Sequence, residues 1–273
     1  MGRAPVGGGR FPAAALASRS FRGGVHNYHG VMAYRAVFFD AGETLVHPHP
    51  SFPELFTLVM KREGHDVDPA DLREGLYLVA DRFTRAAREG EVWSASPERS
   101  KAFWREIYIA LLAKLGLPDG DLLAGALYAE FTDLANYRLF SDVRRVLSRL
   151  EGSGLTLGVV SNFEEWLERL LEQLGVTRFF DVRVISGVEG MEKPDPRIFR
   201  LAMERAGVEP EESVYVGDNP EFDTEPAEAV GMFGVLIDRR GRFPEHPGPR
   251  ITTLDDLPRI IGLDGGRASG VVA

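Results

Sequence analysis

The hydrophobic pattern changes along the chain, and each pattern predicts a different kind of structure. Residues 36–39 form a wholly apolar run that ends at Asp40 and is followed by Gly42 and Thr44. Such a run predicts a buried parallel strand that opens into a loop. From about Pro50 to Asn136 the apolar residues recur at helical spacing instead. After Phe140, strand-like and helix-like segments alternate, which is typical of a parallel sheet covered by helices.

This alternation predicts strands over 155–160, 182–185, 213–216 and 233–237, with helices over 141–150, 164–174, 196–206 and 224–230. The strand at 36–39 belongs to the same sheet, so the helical block is an insertion between two core strands. The predicted fold class is therefore α/β: a Rossmann-like, doubly wound parallel sheet with an inserted α-helical cap. The expected core covers 34–48 and 138–262, and the expected cap covers 49–137.

Two helix starts are recognisable inside the insertion. Asp68-Pro69 and Ser96-Pro97 each supply an N-cap followed by a proline at the first helical position. The first pair predicts one helix whose apolar stripe contains Leu72, Leu76, Val79 and Phe83. The insertion as a whole predicts a bundle of four helices.

Composition removes several classes of function. The formal net charge of -9 disfavours binding to nucleic acid or anionic membranes, so neither is an expected partner. The absence of cysteine excludes disulfides, thiolate zinc sites and cysteine nucleophiles. No apolar run is long enough to span a membrane, and we expect a cytoplasmic protein.

The two ends of the chain differ from the rest. Residues 1–33 contain no Asp or Glu and are rich in Gly, Ala, Ser and Arg. This composition fits an organelle transit peptide, but it also fits a disordered or mis-annotated leader with the true start at Met32, and we expect the latter. Residues 263–273 are expected to form a flexible tail.

Ligands of open parallel sheets bind at the carboxyl ends of the strands, near the point where the strand order reverses. Polar residues directly follow predicted strands in four segments, which contain Asp40, then Ser161 and Asn162, then Lys193, then Asp218 and Asp223. Each segment alone also fits a helix cap, a turn or a solvated loop.

Taken together and in this order, the four segments resemble the signature motifs of the haloacid dehalogenase-like superfamily over about residues 34–238. The most specific part of the resemblance is GMEKPDPRIFRLAMERAGV followed by VYVGDNPEFDTEPAEAVGM. The resemblance implies a helical C1-type cap. It also implies that Asp40 is the nucleophile, that the hydroxyls of Thr44 and Ser161 contact the phosphate, and that Lys193 neutralises the charge of both. Asp218 and Asp223 would form the acidic motif that binds the metal.

These residue types suit attack on a phosphate ester. The ester is an anion, so a carboxylate nucleophile approaches it only if positive charge is supplied. We expect Mg²⁺ on Asp40, Asp218 and the carbonyl oxygen of Gly42, together with the cation of Lys193. Ser161 and Asn162 would donate to the equatorial oxygens, and an aspartyl-phosphate would form and be hydrolysed. The expected substrate is a small phosphorylated metabolite.

One position departs from the family pattern. Phosphatases of this kind carry a second Asp two residues after the nucleophile, and Gly42 occupies that position here. Glycine supplies no proton, so alkyl phosphates should react more slowly than acyl or aryl phosphates. Glu43, His47 or His49 is a candidate substitute acid, although the His-Pro-His-Pro segment is typical of an exposed linker. The pattern resembles the subgroup named after rhythmically expressed insect proteins.

Two alternative functions stay open. The glycine permits a catalytically impaired phosphate-binding or regulatory protein, and dehalogenases of the superfamily also lack the second Asp. Those dehalogenases need no metal, so the intact Gly217-Asp218 pair disfavours that chemistry. Among the aromatic residues of the insertion, we expect Phe103, Trp104 and Tyr108 to be core and Trp93 to be the strongest candidate for a substrate pocket.

Overall fold

A six-stranded parallel sheet holds the strand ends on which the predicted site depends. The computed structural model describes residues 34–264. Its strands are β1 Ala36–Phe39, β2 Val46–Pro48, β3 Tyr137–Leu139, β4 Thr156–Ser161, β5 Val182–Ile185, β6 Ser213–Gly217, β7 Phe233–Ile237 and β8 Arg250–Ile251. The large sheet has the order β5-β4-β1-β6-β7-β8, and all its neighbouring strands are parallel. Strand β8, which is two residues long, was not predicted.

Helices cover both faces of this sheet. The α-helices are α1 Phe52–Arg62, α2 Pro69–Gly75, α3 Tyr77–Glu89, α4 Pro97–Lys114, α5 Gly120–Phe131, α6 Val143–Gly152, α7 Leu167–Gln173, α8 Ser186–Glu189, α9 Pro196–Ala206, α10 Glu225–Ala229 and α11 Leu257–Ile260. Short 3₁₀ turns lie at Leu134–Asn136, Thr177–Phe179, Pro210–Glu212 and Leu254–Asp256, and a π-helical turn lies at Pro220–Thr224.

The alternation of side chains along β1 explains why its sequence is apolar throughout. Val37 and Phe39 belong to the hydrophobic cluster on one face of the sheet, and Ala36 and Phe38 belong to the cluster on the other. A strand buried on both faces cannot show the polar alternation of a half-exposed strand. The predicted α/β class with a Rossmann-like doubly wound core is confirmed.

The insertion has a hydrophobic cluster of its own, which contains Phe56, Met60, Leu72, Phe103 and Leu111. Within the described residues it contains five helices, so the prediction of four is wrong. The predicted single helix after Asp68 breaks at Leu76, between α2 and α3. The break follows Gly75, which packs so closely on α4 that a Cβ at this position would lie 3.1 Å from Leu111 Cδ2.

The predicted N-caps lie where the sequence placed them. The side chain of Asp68 accepts a hydrogen bond from Ala70 N, and that of Ser96 accepts one from Arg99 N. Each residue satisfies a backbone donor that has no partner within its helix. Pro69 and Pro97 follow as the first residues of α2 and α4.

The segment that enters the insertion begins with a short strand. Strand β2 pairs antiparallel with β3, with His47 opposite Arg138 and Pro48 opposite Tyr137. The His47 ring also packs on Phe140 at 4.5 Å between ring centroids. The prediction of an exposed linker is therefore wrong for His47 and Pro48, because strands of three residues are too short to show a periodic pattern. His49 follows the strand and is exposed, as predicted.

The predicted leader at 1–33 and residues 265–273 of the predicted tail lie outside the described residues. At the start of that tail, Leu263 N donates to Pro258 O at 2.8 Å and its side chain packs on the core. Between residues 34 and 264, no helix combines the length and apolar character needed to cross a membrane.

Candidate active site

The strand order reverses beside β1. Strands β4 and β5 extend the sheet on one side of β1, and β6, β7 and β8 extend it on the other. Asp40 follows β1, Ser161 ends β4 and Asp218 follows β6. Because parallel strands present their carboxyl ends at one edge, these three side chains meet at the topological switch point.

Lys193 is the centre of the hydrogen-bond network at this edge. Its Nζ lies 2.7 Å from Asp40 Oδ1 and 2.6 Å from Asp223 Oδ1, and all three side chains are buried. Ser161 Oγ also donates to Asp40 Oδ1, at 2.9 Å. One oxygen of Asp40 therefore accepts two hydrogen bonds, which orients the carboxylate.

Lys193 does not directly follow a strand, contrary to the prediction. It lies in the loop between α8 and α9. Asn162 holds that loop with two hydrogen bonds: Lys193 N donates to Asn162 Oδ1 at 2.7 Å, and Asn162 Nδ2 donates to Lys193 O at 2.8 Å. The side-chain amide of Asn162 thus pairs with both backbone groups of Lys193, as a neighbouring strand would, and this fixes the loop.

Asp223 is placed by a close backbone approach. It lies in the π-helical turn after β6, and Asn219 N donates to its Oδ2 at 3.0 Å. A Cβ on Gly217 would lie 2.3 Å from Asp223 Cγ, so only glycine allows this arrangement. This close approach explains why the residue before Asp218 is a glycine.

Tyr215 completes the network and was missed in the sequence analysis. Its hydroxyl accepts from Lys193 Nζ at 3.1 Å and donates to Val160 O at 2.8 Å. The hydroxyl therefore helps to hold the ammonium group of Lys193 in position. The available signal was a tyrosine in an otherwise apolar strand, since a buried phenol needs a hydrogen-bond partner.

The site contains three aspartates but only one lysine, so negative charge is in excess. Burial alone would lower the pKa of Lys193, but Asp223 and Asp40 raise it well above its usual value. Burial raises the pKa of Asp40, whereas Lys193 acts in the opposite direction. Burial, and then the charges of Asp223 and Asp40, raise the pKa of Asp218 to about 8. The cluster would therefore be stabilised by further positive charge.

The same carboxylates fit a hard divalent cation. Asp40, Asp218 and Asp223 each offer an oxygen, and the three oxygens lie within 4.8 Å of one another. Among the described residues, no donor reaches Asp40 Oδ2 or Asp218 Oδ1, while Arg242 Nη2 donates to Asp218 Oδ2. Carboxylate oxygens are the protein ligands that Mg²⁺ prefers. The donor set suits this ion.

The loop after Asp40 contains the other predicted residues. Thr44 is fully buried, and its Oγ1 has no hydrogen-bond partner among the described residues. Gly42 has open space where a side chain would begin, since a Cβ there meets no atom within 4 Å.

The candidate substitute acids have other partners. Glu43 Oε2 accepts from Arg240 Nη2 at 2.8 Å, and His47 Nδ1 lies 2.8 Å from Pro48 O. No hydrogen bond joins Glu43, His47 or His49 to Asp40 in the described part of the chain. Glu43 would have to leave Arg240 to act as the substitute acid.

A family model for haloacid dehalogenase-like hydrolases matches residues 34–231, which contain this entire cluster. The chain belongs to the haloacid dehalogenase-like hydrolase family. The predicted resemblance to this family is confirmed, and the protein is an enzyme of the hydrolase class. The Rossmann-like sheet with acidic residues at its carboxyl edge is thus the hydrolase core of a known family.

Individual relatives agree with this assignment. The chain is 36% identical over 141 residues to the mouse haloacid dehalogenase-like hydrolase domain-containing protein 3; the match covers 50% of the chain and 56% of that protein. It is 35% identical over 235 residues to the glyceraldehyde 3-phosphate phosphatase of Methanothermobacter thermautotrophicus, with 83% and 97% coverage. The structure of the HAD-hydrolase YfnB from Bacillus subtilis has a TM-score of 0.69 at 20% identity, covering 84% and 98% of the two chains. At that identity the likeness concerns the fold.

Proposed function

We propose that this hydrolase is a magnesium-dependent phosphatase that uses Asp40 as its nucleophile. The observation that carries the proposal is the position of Asp40: its Oδ1 lies 2.7 Å from Lys193 Nζ, within a cluster that includes Asp218 and Asp223. The match to the phosphatase of Methanothermobacter thermautotrophicus over most of both chains supports the same activity. The substrate is a small phosphorylated molecule.

The charge distribution explains how a carboxylate can attack an anion. Lys193 lies between Asp40 and Asp223, so its charge offsets the repulsion that a phosphoryl group would meet at Asp40. Asp40, Asp218 and the carbonyl oxygen of Gly42 would hold Mg²⁺, with Asp223 beside them. When bound, the ion supplies Lewis-acid charge at the phosphoryl oxygens. Both oxygens of Asp223 already accept hydrogen bonds, so this residue also positions Lys193.

The reaction has two steps. An oxygen of Asp40 forms a bond to phosphorus while the P–O bond to the leaving group breaks, which gives an aspartyl-phosphate and an alkoxide, phenoxide or carboxylate. The alkoxide or phenoxide takes its proton from water, because Gly42 cannot supply one. Water then attacks phosphorus and releases inorganic phosphate, which restores the carboxylate. Thr44, whose hydroxyl has no partner among the described residues, would donate to the equatorial oxygens during both steps. Ser161 would turn its hydroxyl from Asp40 to the phosphoryl group, and Asn162 would use the amide hydrogen that does not bond Lys193 O.

Gly42 favours substrates with good leaving groups. It provides no proton for the departing oxygen, and a missing general acid typically lowers the rate by about 10²- to 10⁴-fold. Acyl and aryl phosphates need less protonation than alkyl phosphates. The same glycine supports a second candidate, a phosphate-binding or regulatory protein with impaired catalysis. Metal-independent dehalogenation is disfavoured, because the acidic cluster around Asp218 is intact.

The test compares acetyl phosphate, p-nitrophenyl phosphate and propyl phosphate, each with and without Mg²⁺. We expect metal-dependent release of phosphate, faster for the first two substrates, and its loss in Asp40→Asn. The matched control is Asp121→Asn, which changes an exposed aspartate of the insertion. Binding of beryllium fluoride without turnover of any substrate would favour the regulatory candidate. Metal-independent release of halide from a 2-haloacid would instead favour the dehalogenase.

A further inference from the structure

A cavity of about 80 Å³ lies between the insertion and the core, beside the candidate active site. Its volume is several times the roughly 10–15 Å³ that one water molecule needs. Helices α4 and α5 form one wall, and the segment from Asn162 to Trp166 forms another. Asn162 directly follows Ser161, which contacts Asp40. The cavity is thus placed to receive the part of a substrate that lies beyond its phosphate.

The lining combines aromatic rings with one carboxylate. Eight of the twelve lining residues are aromatic, among them Trp93, Trp104 and Tyr128, and none is Lys, Arg or His. The expectation that Trp104 and Tyr108 are only core residues is therefore too narrow. The faces of aromatic rings carry negative potential and attract cations.

Glu164 is the only acidic residue in the lining. It is 8% exposed, and its Oε1 accepts from Ser100 Oγ at 2.7 Å and from Tyr128 OH at 2.9 Å. Among the described residues, no donor reaches its Oε2 and no cation pairs with it. A carboxylate at a cavity wall with no paired cation would be stabilised by a cationic ligand.

Other polar groups of the lining bear on the chemistry of a ligand. The Nε1 atoms of Trp93 and Trp166 are buried without an acceptor, and both indoles line the cavity. Buried polar groups of native proteins are nearly always hydrogen-bonded, so these two donors call for acceptor atoms. An ammonium group has no acceptor, so oxygen atoms elsewhere in the same ligand would have to pair with them. Burial raises the pKa of the Tyr128 hydroxyl, and the charge of Glu164 raises it further, as expected in a region of negative potential.

We propose that this cavity binds an organic ammonium group, so that the substrate is a phosphorylated amine with Glu164 and the aromatic rings around its cation. The proposal rests on the proposed phosphatase function and deepens it. An anionic group would be repelled by Glu164, and a neutral group would leave the buried carboxylate without a counter-charge. Glu164 begins a predicted helix, but α7 starts at Leu167, so the residue is free to turn toward Ser100 and Tyr128.

The first experiment compares two phosphate esters of the same shape: choline phosphate, which carries a quaternary ammonium, and 3,3-dimethylbutyl phosphate, which is its neutral analogue. We expect the wild type to favour the cationic ester by at least about tenfold in kcat/KM. In Glu164→Gln the preference should fall severalfold, whereas Glu165→Gln, an exposed neighbour, should keep the wild-type ratio. The pair 2-aminoethyl phosphate and propyl phosphate repeats the comparison for a primary ammonium.

The second experiment needs neither turnover nor a variant. Tetramethylammonium chloride should raise the melting temperature of the wild type above its value in sodium chloride of the same ionic strength. If no phosphate ester is hydrolysed but this shift appears, the proposed function fails and the cation site stands. If p-nitrophenyl phosphate is hydrolysed while the ester ratio is the same in the wild type and Glu164→Gln and the shift is absent, the cation site is wrong and the phosphatase stands.

Discussion

The ammonium nitrogen of Lys193 lies 2.7 Å from Oδ1 of Asp40, and both side chains are buried. The same ammonium is 2.6 Å from Asp223, so one cation balances two carboxylates. Breaking a buried ion pair from one side leaves an uncompensated charge and typically costs about 3–5 kcal/mol. We therefore predict that Lys193→Met abolishes turnover and lowers the free energy of unfolding by about that amount.

Urea denaturation with and without Mg²⁺ measures this effect. Because the bound ion would restore positive charge among the carboxylates, Mg²⁺ should stabilise Lys193→Met more than it stabilises the wild type. The control is Lys61→Met, which removes an exposed lysine of the insertion and should leave stability nearly unchanged. Equal stability of Lys193→Met and the wild type would contradict the account of the charge balance.

A second prediction concerns the position that lacks an acid. A Cβ at Gly42 would meet no atom within 4 Å, so a side chain can begin there without a clash. Gly42→Asp should raise kcat for propyl phosphate by about 10²-fold or more, and should raise it far less for acetyl phosphate, which needs little protonation.

Gly42→Asn is the matched control, because it has the same shape as Gly42→Asp but carries no acidic proton. The ratio of propyl to acetyl phosphate turnover should rise in the aspartate variant and stay at the wild-type value in the asparagine variant. If both variants behave like the wild type, another residue already donates the proton.

The sequence predicted much of this site because strand ends can be recognised locally. The wholly apolar run before Asp40 and the strand before Asp218 identify buried parallel strands, and the carboxyl ends of such strands share one edge. Lys193 was placed directly after a strand, yet Asn162 holds its loop from the side. No local pattern contains that contact.

What the sequence did not predict depends on contacts between the insertion and the core. Glu164 lies in a segment typical of a helix start, where a glutamate usually faces solvent. Its partners Ser100 and Tyr128 come from α4 and α5, so only the folded chain shows that it is buried. The antiparallel pair of β2 and β3 was not predicted for a related reason: each strand is held by hydrogen bonds to a strand that is distant in sequence.

A third prediction concerns pH. Asp218 has a pKa near 8 in the metal-free protein, raised first by burial and then by Asp223 and Asp40, against a usual value of 3.8. Below pH 8 a divalent cation must displace this proton. The affinity for Mg²⁺ should therefore rise by up to about tenfold per pH unit between pH 6 and 8 and level off above pH 8.

The stability of the metal-free protein should change in the opposite direction. A carboxyl whose pKa is raised by folding binds more protons in the native than in the unfolded state, so its contribution is lost as the pH rises through 8. The melting temperature without metal should fall from pH 6 to 8 and level off above pH 8, and the gain on adding Mg²⁺ should grow over the same interval. Calorimetry and thermal unfolding at each pH test both trends. In Asp218→Asn, the Mg²⁺ affinity and the melting temperature should both depend less on pH. A Mg²⁺ affinity that stays constant with pH in the wild type would refute the prediction.

The last prediction concerns Arg242, whose Nη2 donates to Oδ2 of Asp218. The guanidinium brings positive charge to a carboxylate that we propose as a metal ligand, so it competes electrostatically with the ion. Its side chain is 47% exposed, which limits the interaction to about 1 kcal/mol. Above pH 8, where Asp218 is ionised, Arg242→Ala should therefore tighten Mg²⁺ binding by roughly two- to fivefold. Below pH 8 the gain should shrink, because the loss of Arg242 also raises the pKa of Asp218 and strengthens the competition from its proton. Arg240→Ala, which removes the pair with Glu43 instead, should change Mg²⁺ binding less. Weaker Mg²⁺ binding in Arg242→Ala would show that the guanidinium orients Asp218 for the ion rather than opposing it.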